Sequence, residues 1–293
     1  MFQVRAVVVA WSFVWFLPTV GRELAAAETS HVYKRVEGRE LHVHVVEPDR
    51  AKFAGPRPAI VFFHGGGWSG GSPAQFNALG DYLATRGMVV AKVEYRLLKG
   101  RKEQHPTVCC QDAKSAMRWV RANAEKLGID ANRIAAGGGS AGGHLAAFVG
   151  MVAGIDDPAD DLKVSPKPAA LVLFNPVYDN GPDGWGHARV GDRYREFSPF
   201  HNVSADDPPT LVICGSKDAL VPVKTLEAFQ AAMQKAGVRC ENRIYDGRAH
   251  SFFNYKDGKN ADYYATAIDT DKFLASLGWL EGPPSLKVPE LPK

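Results

Sequence analysis

The chain has 293 residues, 45% hydrophobic and 23% charged, with a formal net charge of +3. These are ordinary globular values, enough for one large α/β domain and a substantial core. The weak charge and the lack of a basic run exclude an electrostatic footprint for nucleic acid.

The first 27 residues differ in kind. Arg5 precedes the apolar run Ala6–Val20, and Ala25-Ala26-Ala27 follows. That is the layout of a secretory signal peptide cleaved near Ala27, and the run falls short of the ~20 residues that span a bilayer. The expectation is a secreted or periplasmic protein with no stable membrane span after cleavage. Export would permit disulfides. Cys109 and Cys110, however, are sequence neighbours, where a bridge is strained, and Cys214 and Cys240 lie offset on two predicted strands. Four free thiols are expected, with no metal site and no cofactor, because a lone CC pair lacks metal-ligand spacing.

After this leader, strands and helices alternate. His31–Val36 and Leu41–Glu47 read as β segments joined at Glu37-Gly38-Arg39. Pro58–Phe63 is an apolar strand, Gln75–Thr85 a helix, and Met88–Val93 another buried strand. Thr107–Leu127 repeats Ala113, Ala116, Met117, Val120 and Ala124 at helical spacing. Arg133–Ala136 is a short strand and Gly142–Val152 a helix of small residues. Strands Ala169–Phe174 and Thr210–Cys214, helix Val223–Ala236, strand Asn242–Tyr245 and helix Ala261–Leu277 complete the order. Uninterrupted apolar strands between amphipathic helices predict an α/β fold, a mostly parallel central sheet with helices on both faces. Asn175–Asp207 is too long for an ordinary connection and reads as a modest, polar excursion over the site, not a large cap domain. Residues 28–280 are read as one domain and 281–293 as an extended tail.

Three segments carry chemistry. Gly138-Gly139-Ser140-Ala141-Gly142 places a serine on a strand–turn–helix junction, where flanking side chains must be small. His64-Gly65-Gly66-Gly67-Trp68 follows a strand. Its glycines let backbone amides approach a substrate, so Gly66 and Gly67, with the Ala141 amide, are expected to form an oxyanion hole. Asp218 and His250 each lie just past a strand, giving the chain order Ser, Asp, His of α/β-hydrolases. His250 is then the base for Ser140, and Asp218 holds the imidazole tautomer. Asp246 is a competing acid, disfavoured because Asp218 ends its own strand upstream. The glycines Gly65, Gly67 and Gly70 also fit a dinucleotide-binding pattern with Glu94 ending the next strand. That reading leaves Ser140, Asp218 and His250 unexplained, and Pro73 delays the helix that the third glycine should enter.

With these residues in place, the sequence resembles the α/β-hydrolase superfamily, in its hormone-sensitive-lipase-like and feruloyl/acetyl-esterase (BD-FAE-like) branch. The resemblance runs from about Tyr33 to Leu277. It is carried by VFFHGGGWSGGS at 61–72, VEYRL at 93–97, DAKSAMRWVRANA at 112–124, DANRIAAGGGSAGGHLAA at 130–147, PPTLVICGSKDALVPV at 208–223 and YDGRAHSFFN at 245–254. It implies an α/β-hydrolase fold and a serine esterase acting through an acyl-enzyme. Two departures point to the uncapped esterases of short acyl groups, including acetyl or feruloyl esters of carbohydrate. Gly139 stands where that branch usually has an acid, and no N-terminal cap precedes the first strands. An amide or peptide hydrolase of formamidase type is the alternative, since such relatives share HGGGW-like loops. Glu94–Leu97 is expected to brace the site. Trp68, Trp185 and Phe252 are the candidate substrate-binding residues for a small-molecule or carbohydrate ester.

Overall fold

The computed structural model describes residues 28–100, 105–257 and 259–289. The expected leader, residues 1–27, and residues 290–293 of the expected tail lie outside them. Eight strands form one sheet: β1 (Glu28–Val36), β2 (Arg39–Val46), β3 (Arg57–Phe63), β4 (Val89–Val93), β5 (Ile129–Gly139), β6 (Ala170–Phe174), β7 (Thr210–Gly215) and β8 (Cys240–Tyr245). Their order is β1-β2-β4-β3-β5-β6-β7-β8. β2 runs antiparallel to both β1 and β4, and the other neighbours are parallel. The helices are α1 (Asn77–Thr85), α2 (Thr107–Ala122), α3 (Ala141–Met151), α4 (His187–Val190), α5 (Val223–Lys235) and α6 (Ala261–Ser276).

Alternation along each strand divides the core in two, because successive side chains point to opposite faces. On β3, Ala59, Val61 and Phe63 pack with residues of α2, α3 and α5, whereas Ile60 and Phe62 pack with residues of α1 and α6. Both sets are buried, so the strand reads as an unbroken apolar run, as a sheet covered on two faces requires.

Several element boundaries differ from expectation, three of them with a clear local cause. Pro73–Phe76 is a tight 3₁₀ turn, and the α-helix begins only at Asn77. α2 ends at Ala122, and the chain closes in turns to Gly128 at φ +67°. β5 is longer than its apolar stretch, because its polar start also pairs with β3, through Ile129 and Arg57. The excursion after β6 folds into α4 and two 3₁₀ turns, with Tyr178, Val190 and Phe197 buried beneath it. It is a packed wall, not an open flap. None of the four cysteines forms a disulfide, and all four are buried. Thr210 pairs with Cys240 and Cys214 with Ile244, so the two β7–β8 thiols are offset along the sheet.

The residues after β4 do brace the structure. The Arg96 backbone amide, Nε and Nη2 donate to the Asp112 carboxylate at 2.9, 2.8 and 2.7 Å. Lys34 Nζ of β1 lies 2.8 Å from the same carboxylate, which is fully buried. Burial alone would lower the Arg96 pKa, but Asp112 and Glu37 outweigh it and hold the guanidinium charged. Removing Asp112 would take away the buried carboxylate that the two cations share, leaving Lys34 only Asp157 at 2.6 Å and Arg96 chiefly Glu37 at 3.1 Å. Asp112→Ala is expected to cost ~3–5 kcal/mol and lower Tm by on the order of 10 °C in a calorimetric scan. A shift below about 2 °C would show that this carboxylate does not hold the two cations together.

Candidate active site

The parallel strands end along one edge of the sheet, and the motif residues follow those ends. His64–Trp68 comes after β3, Ser140 after β5, Asp218 after β7 and His250 after β8. Ser140 has φ +55° and ψ −117°, a conformation that L residues adopt only under constraint. The constraint is backbone contact. A Cβ on Gly138 would lie 2.3 Å from the Gly142 carbonyl oxygen, and one on Gly142 would lie 2.0 Å from that of Phe63. The small residues around Ser140 are therefore a packing requirement.

The structure brings Ser140, His250 and Asp218 into one hydrogen-bonded chain. His250 Nε2 lies 2.8 Å from Ser140 Oγ, and Nδ1 lies 2.7 Å from Asp218 Oδ2. An ionised carboxylate only accepts, so Nδ1 carries the proton and Nε2 is free to accept from the serine hydroxyl. Asp218 is buried, and its Oδ1 accepts from the Leu220 and Val221 amides at 2.9 and 3.0 Å. Burial alone would raise its pKa. The His250 interaction and the two amides outweigh that and hold the carboxyl below its ordinary value. Asp246 is exposed and accepts from Ser216 Oγ at 2.9 Å, so it is engaged elsewhere.

The glycine loop stands beside the serine. Gly66 and Gly67 have φ +116° and +61°, and a Cβ on Gly66 would meet the Gly70 oxygen at 2.3 Å. The Gly65 amide is taken by Gln75 Oε1 at 2.7 Å. Among the described residues nothing accepts from the Gly66, Gly67 or Ala141 amides. The Gly65 carbonyl accepts from His64 Nδ1 at 2.8 Å, and the Gly66 carbonyl from the Ser69 and Gly70 amides at 3.0 Å each. These bonds hold the peptide planes that carry the two free glycine amides. Tyr95 in turn donates to the His64 carbonyl at 2.7 Å, as the expected brace.

Two of the three candidate substrate contacts lie buried in the fold. Trp68 is fully buried, with its ring centroid 4.9 Å from His144 and 5.0 Å from Trp185. Phe252 is buried in the α1–α6 layer, 5.0 Å from Tyr245. Both fill the protein interior, the commonest fate of large aromatic rings. Trp185 alone lines an adjoining cavity of about 320 Å³, together with Asp179, Asp183, Phe200, Leu220 and Lys224. The sequence reading missed Arg189, which donates to the Gly67 carbonyl at 2.7 Å and lies 5.6 Å from both the Trp68 and Trp185 rings. It also missed Asn175, which follows β6 at the same sheet edge and accepts from the Ser251 amide at 3.0 Å. Its position just past a parallel strand was a usable signal; nothing in the sequence pointed to Arg189.

His144, in the first turn of α3, ties the serine-bearing helix to the excursion. Its Nε2–H donates to the Phe197 carbonyl at 2.8 Å, and its buried Nδ1 has no hydrogen-bond partner. Burial pushes its pKa down to about 4, with the Phe197 carbonyl and Asn180 opposing part of that shift. The folded state thus holds a neutral ring while the unfolded chain takes a proton near pH 6.5. Its contribution is complete above that pH and is lost as pH falls toward 4, amounting to ~3 kcal/mol across the window. Urea unfolding of the wild type should show this acid slope, and His144→Gln should flatten it. An identical slope in the variant would place the acid sensitivity elsewhere.

The family model described as BD-FAE matches residues 46–174, and the dienelactone hydrolase family model matches residues 196–281. Esterase LipC of Mycobacterium tuberculosis is 33% identical over 59% of this chain and 47% of its own length. The probable carboxylic ester hydrolase LipM of the same organism is 28% identical over 82% of this chain and 59% of its own length. The chain thus spans about half to three-fifths of these two curated relatives. A solved structure of Thermogutta terrifontis esterase 2 superimposes with a TM-score of 0.82 at 42% identity, covering 87% of this chain and 96% of that one. With sheet order, serine turn and glycine loop in place, and such identity over nearly the whole of a solved esterase, the chain belongs to the esterases of the α/β-hydrolase family.

Proposed function

We propose that this protein hydrolyses carboxylic esters through an acyl-enzyme on Ser140, with His250 as general base and then acid, and Asp218 as its orienting carboxylate. The observation that carries this reading is the continuous chain from Ser140 Oγ through His250 to Asp218, at 2.8 and 2.7 Å. Ser140 Oγ attacks the ester carbonyl carbon as its proton passes to His250 Nε2. The imidazolium so formed lies against Asp218, which is ionised and shielded from water. The Gly66, Gly67 and Ala141 amides would receive the oxyanion, in a geometry set before substrate arrives. Collapse of the tetrahedral intermediate breaks the C–O bond, and Nε2–H protonates the departing alkoxide. Water then repeats the sequence on the acyl-enzyme, with its proton taken by Nε2 and returned to Ser140. The chain's own groups handle every charge, so the mechanism calls for no metal or cofactor.

The same reading extends to short acyl groups. Thermogutta terrifontis esterase 2 has been seen bound to propionate and to butyrate, and phosphorylated by paraoxon. The cavity shares Val177 and Val221, whose amides donate to the Ser140 carbonyl and to Asp218, and it mixes Asp179, Asp183 and Lys224 with Trp185 and Leu220. Such a wall can hydrogen-bond the hydroxyls of a polar alcohol such as a sugar. It suits a long alkyl chain poorly, because its polar groups would lose water without replacement. Export completes the reading, resting on Arg5, the run Ala6–Val20 and Ala25–Ala27. The N-terminal sequence of protein recovered outside the cytoplasm tests it.

Ser140→Ala should fold normally and lose on the order of 10⁶ in kcat. Asp218→Asn should lose ~10⁴ through the wrong imidazole tautomer, and Asp246→Asn far less, on p-nitrophenyl butyrate. Substantial activity in pure Ser140→Ala would remove that residue from the chemistry, and the reverse ranking of the two acids would reassign the carboxylate. On p-nitrophenyl esters, kcat/KM should peak between acetyl and butyryl and fall steeply by decanoyl. An apolar tunnel would instead gain ~0.8 kcal/mol for each methylene buried. Preference for octanoyl or longer esters, with both substrates soluble, would contradict the short-acyl reading.

A further inference from the structure

We propose that the Gln75 side chain is a positioning residue that couples the glycine loop to the turn bearing His250, setting the distance between the oxyanion donors and the base. The proposal rests on the ester-hydrolysis reading and assigns a role to a residue outside the Ser140–His250–Asp218 chain.

Gln75 stands where three segments meet. Its Oε1 accepts from the Gly65 amide at 2.7 Å, at the start of the glycine loop. Its Nε2 donates to Asn254 Oδ1 at 2.9 Å. Asn254 Nδ2 donates to the Ser251 carbonyl at 3.1 Å, one residue past His250. A Cβ built on Gly139, next to Ser140, would fall 3.4 Å from Gln75 Nε2. The relay runs from the Gly65 N–H through two side-chain amides to the Ser251 C=O, with every donor pointing the same way. The two ends fix both amide orientations, because a backbone N–H only donates and a backbone C=O only accepts. Bonds aligned head to tail strengthen one another.

The rest of the local structure holds this relay in tension against the sheet. Phe76, next to Gln75, and Phe253, next to Asn254, stack with centroids 6.1 Å apart, and both rings also pack on Phe174. The aromatic contact anchors the two backbones, while the neighbouring amides set their relative height. On its other side the His250 turn is gripped by Asn175, whose Oδ1 accepts from the Ser251 amide at 3.0 Å. Ser251 itself sits at φ +66° and Asn175 at φ +36°, conformations that persist only where surrounding bonds impose them. Ser251 is thus held by its N–H on Asn175, just past β6, and by its C=O, which accepts from the relay's last amide at 3.1 Å and from the Asn254 backbone amide at 3.4 Å. A sequence reading places Gln75 in a helix and offers no sign of this, because the relay joins residues 179 positions apart.

A misplacement of about 1 Å between base and oxyanion donors slows the chemical step by on the order of 10²-fold. Gln75→Met keeps the side-chain volume and removes both hydrogen bonds; Asn254→Ala cuts the same relay further along. Each should lower kcat on p-nitrophenyl butyrate by about 10- to 100-fold with KM changed less than about twofold. The double variant should lose no more than the worse single, since one relay is broken either way. Rates of the Gln75 and Asn254 variants are taken per active site, counted by stoichiometric labelling with a fluorophosphonate, and that of Ser140→Ala per folded chain, so that unfolded protein does not contribute. Wild-type kcat per site in Gln75→Met, multiplying losses in the double variant, or a loss expressed only in KM would each overturn the relay. Ser140→Ala measured alongside separates the two levels. An active Ser140→Ala overturns the hydrolytic reading itself, whereas an inactive Ser140→Ala with unimpaired Gln75→Met overturns the relay alone.

Discussion

The contact on which the site depends is backbone against backbone, where α3 meets the end of β3. The Gly142 Cα faces the Phe63 carbonyl so closely that an added Cβ would sit 2.0 Å from that oxygen. Phe63 is the last residue of β3, and Gly142 is the second residue of α3. This contact therefore locks the start of the glycine loop to the helix that begins beside Ser140. No side chain separates them, so no rotamer change can alter their spacing. The strained dihedrals of Ser140 follow from the same closeness, since the chain must leave β5 and enter α3 without clearing β3. Strain of this kind, of order 1–3 kcal/mol, persists only where the neighbouring structure over-determines it. Here that structure is the covered sheet.

The acid side of the site is built on a different principle. Asp218 is a buried anion, and burying a charge is costly unless its lone pairs are occupied. Oδ1 takes two backbone amides from the turn that Asp218 itself begins, and Oδ2 takes His250. The carboxylate is thus oriented before substrate arrives, and its remaining oxygen is aimed at the imidazole. Asp246 lies on the turn nearer to His250 in sequence, yet it is exposed and bound to Ser216. Position at the end of a strand, more than closeness along the chain, decides which carboxylate reaches the base.

Much of this was legible in the residues. Strands buried on both faces announce themselves as apolar runs, and a serine flanked by glycines at a strand–helix junction has few structural alternatives. The order of Ser140, Asp218 and His250 needed only strand ends, which apolarity marks well. Two kinds of feature escaped. Trp68 and Phe252 are chemically suited to a pocket, but burial is set by which layer a residue joins, and composition does not reveal that. Gln75, Asn175, Asn254 and Arg189 act by pointing at backbone groups far away in the chain. Polar side chains satisfying distant backbone leave no periodic trace, so only the folded arrangement discloses them. The break at Pro73–Phe76 is a local case: the apolar spacing was compatible with one continuous helix, while the proline at its first position formed a separate tight turn.

The wall of the cavity and the glycine loop are one packed unit, so neither can be rearranged without moving the other. Trp185 lines the cavity and packs on Trp68, the last residue of the loop motif. Arg189, from the same excursion, places its guanidinium near both rings and donates to the Gly67 carbonyl. A hydrogen bond from a charged donor is typically worth ~1.5–3 kcal/mol. Removing the charge would leave the Gly67 carbonyl only the longer bond from Ser69 Oγ, at 3.3 Å, and would loosen the tryptophan pair at the same time. His144 supplies a second tie, from α3 to the Phe197 carbonyl of the excursion. The excursion is therefore fastened to both elements that would surround a tetrahedral intermediate. A substitution that widens the cavity would therefore disturb the packing that holds the loop amides, through those fastenings.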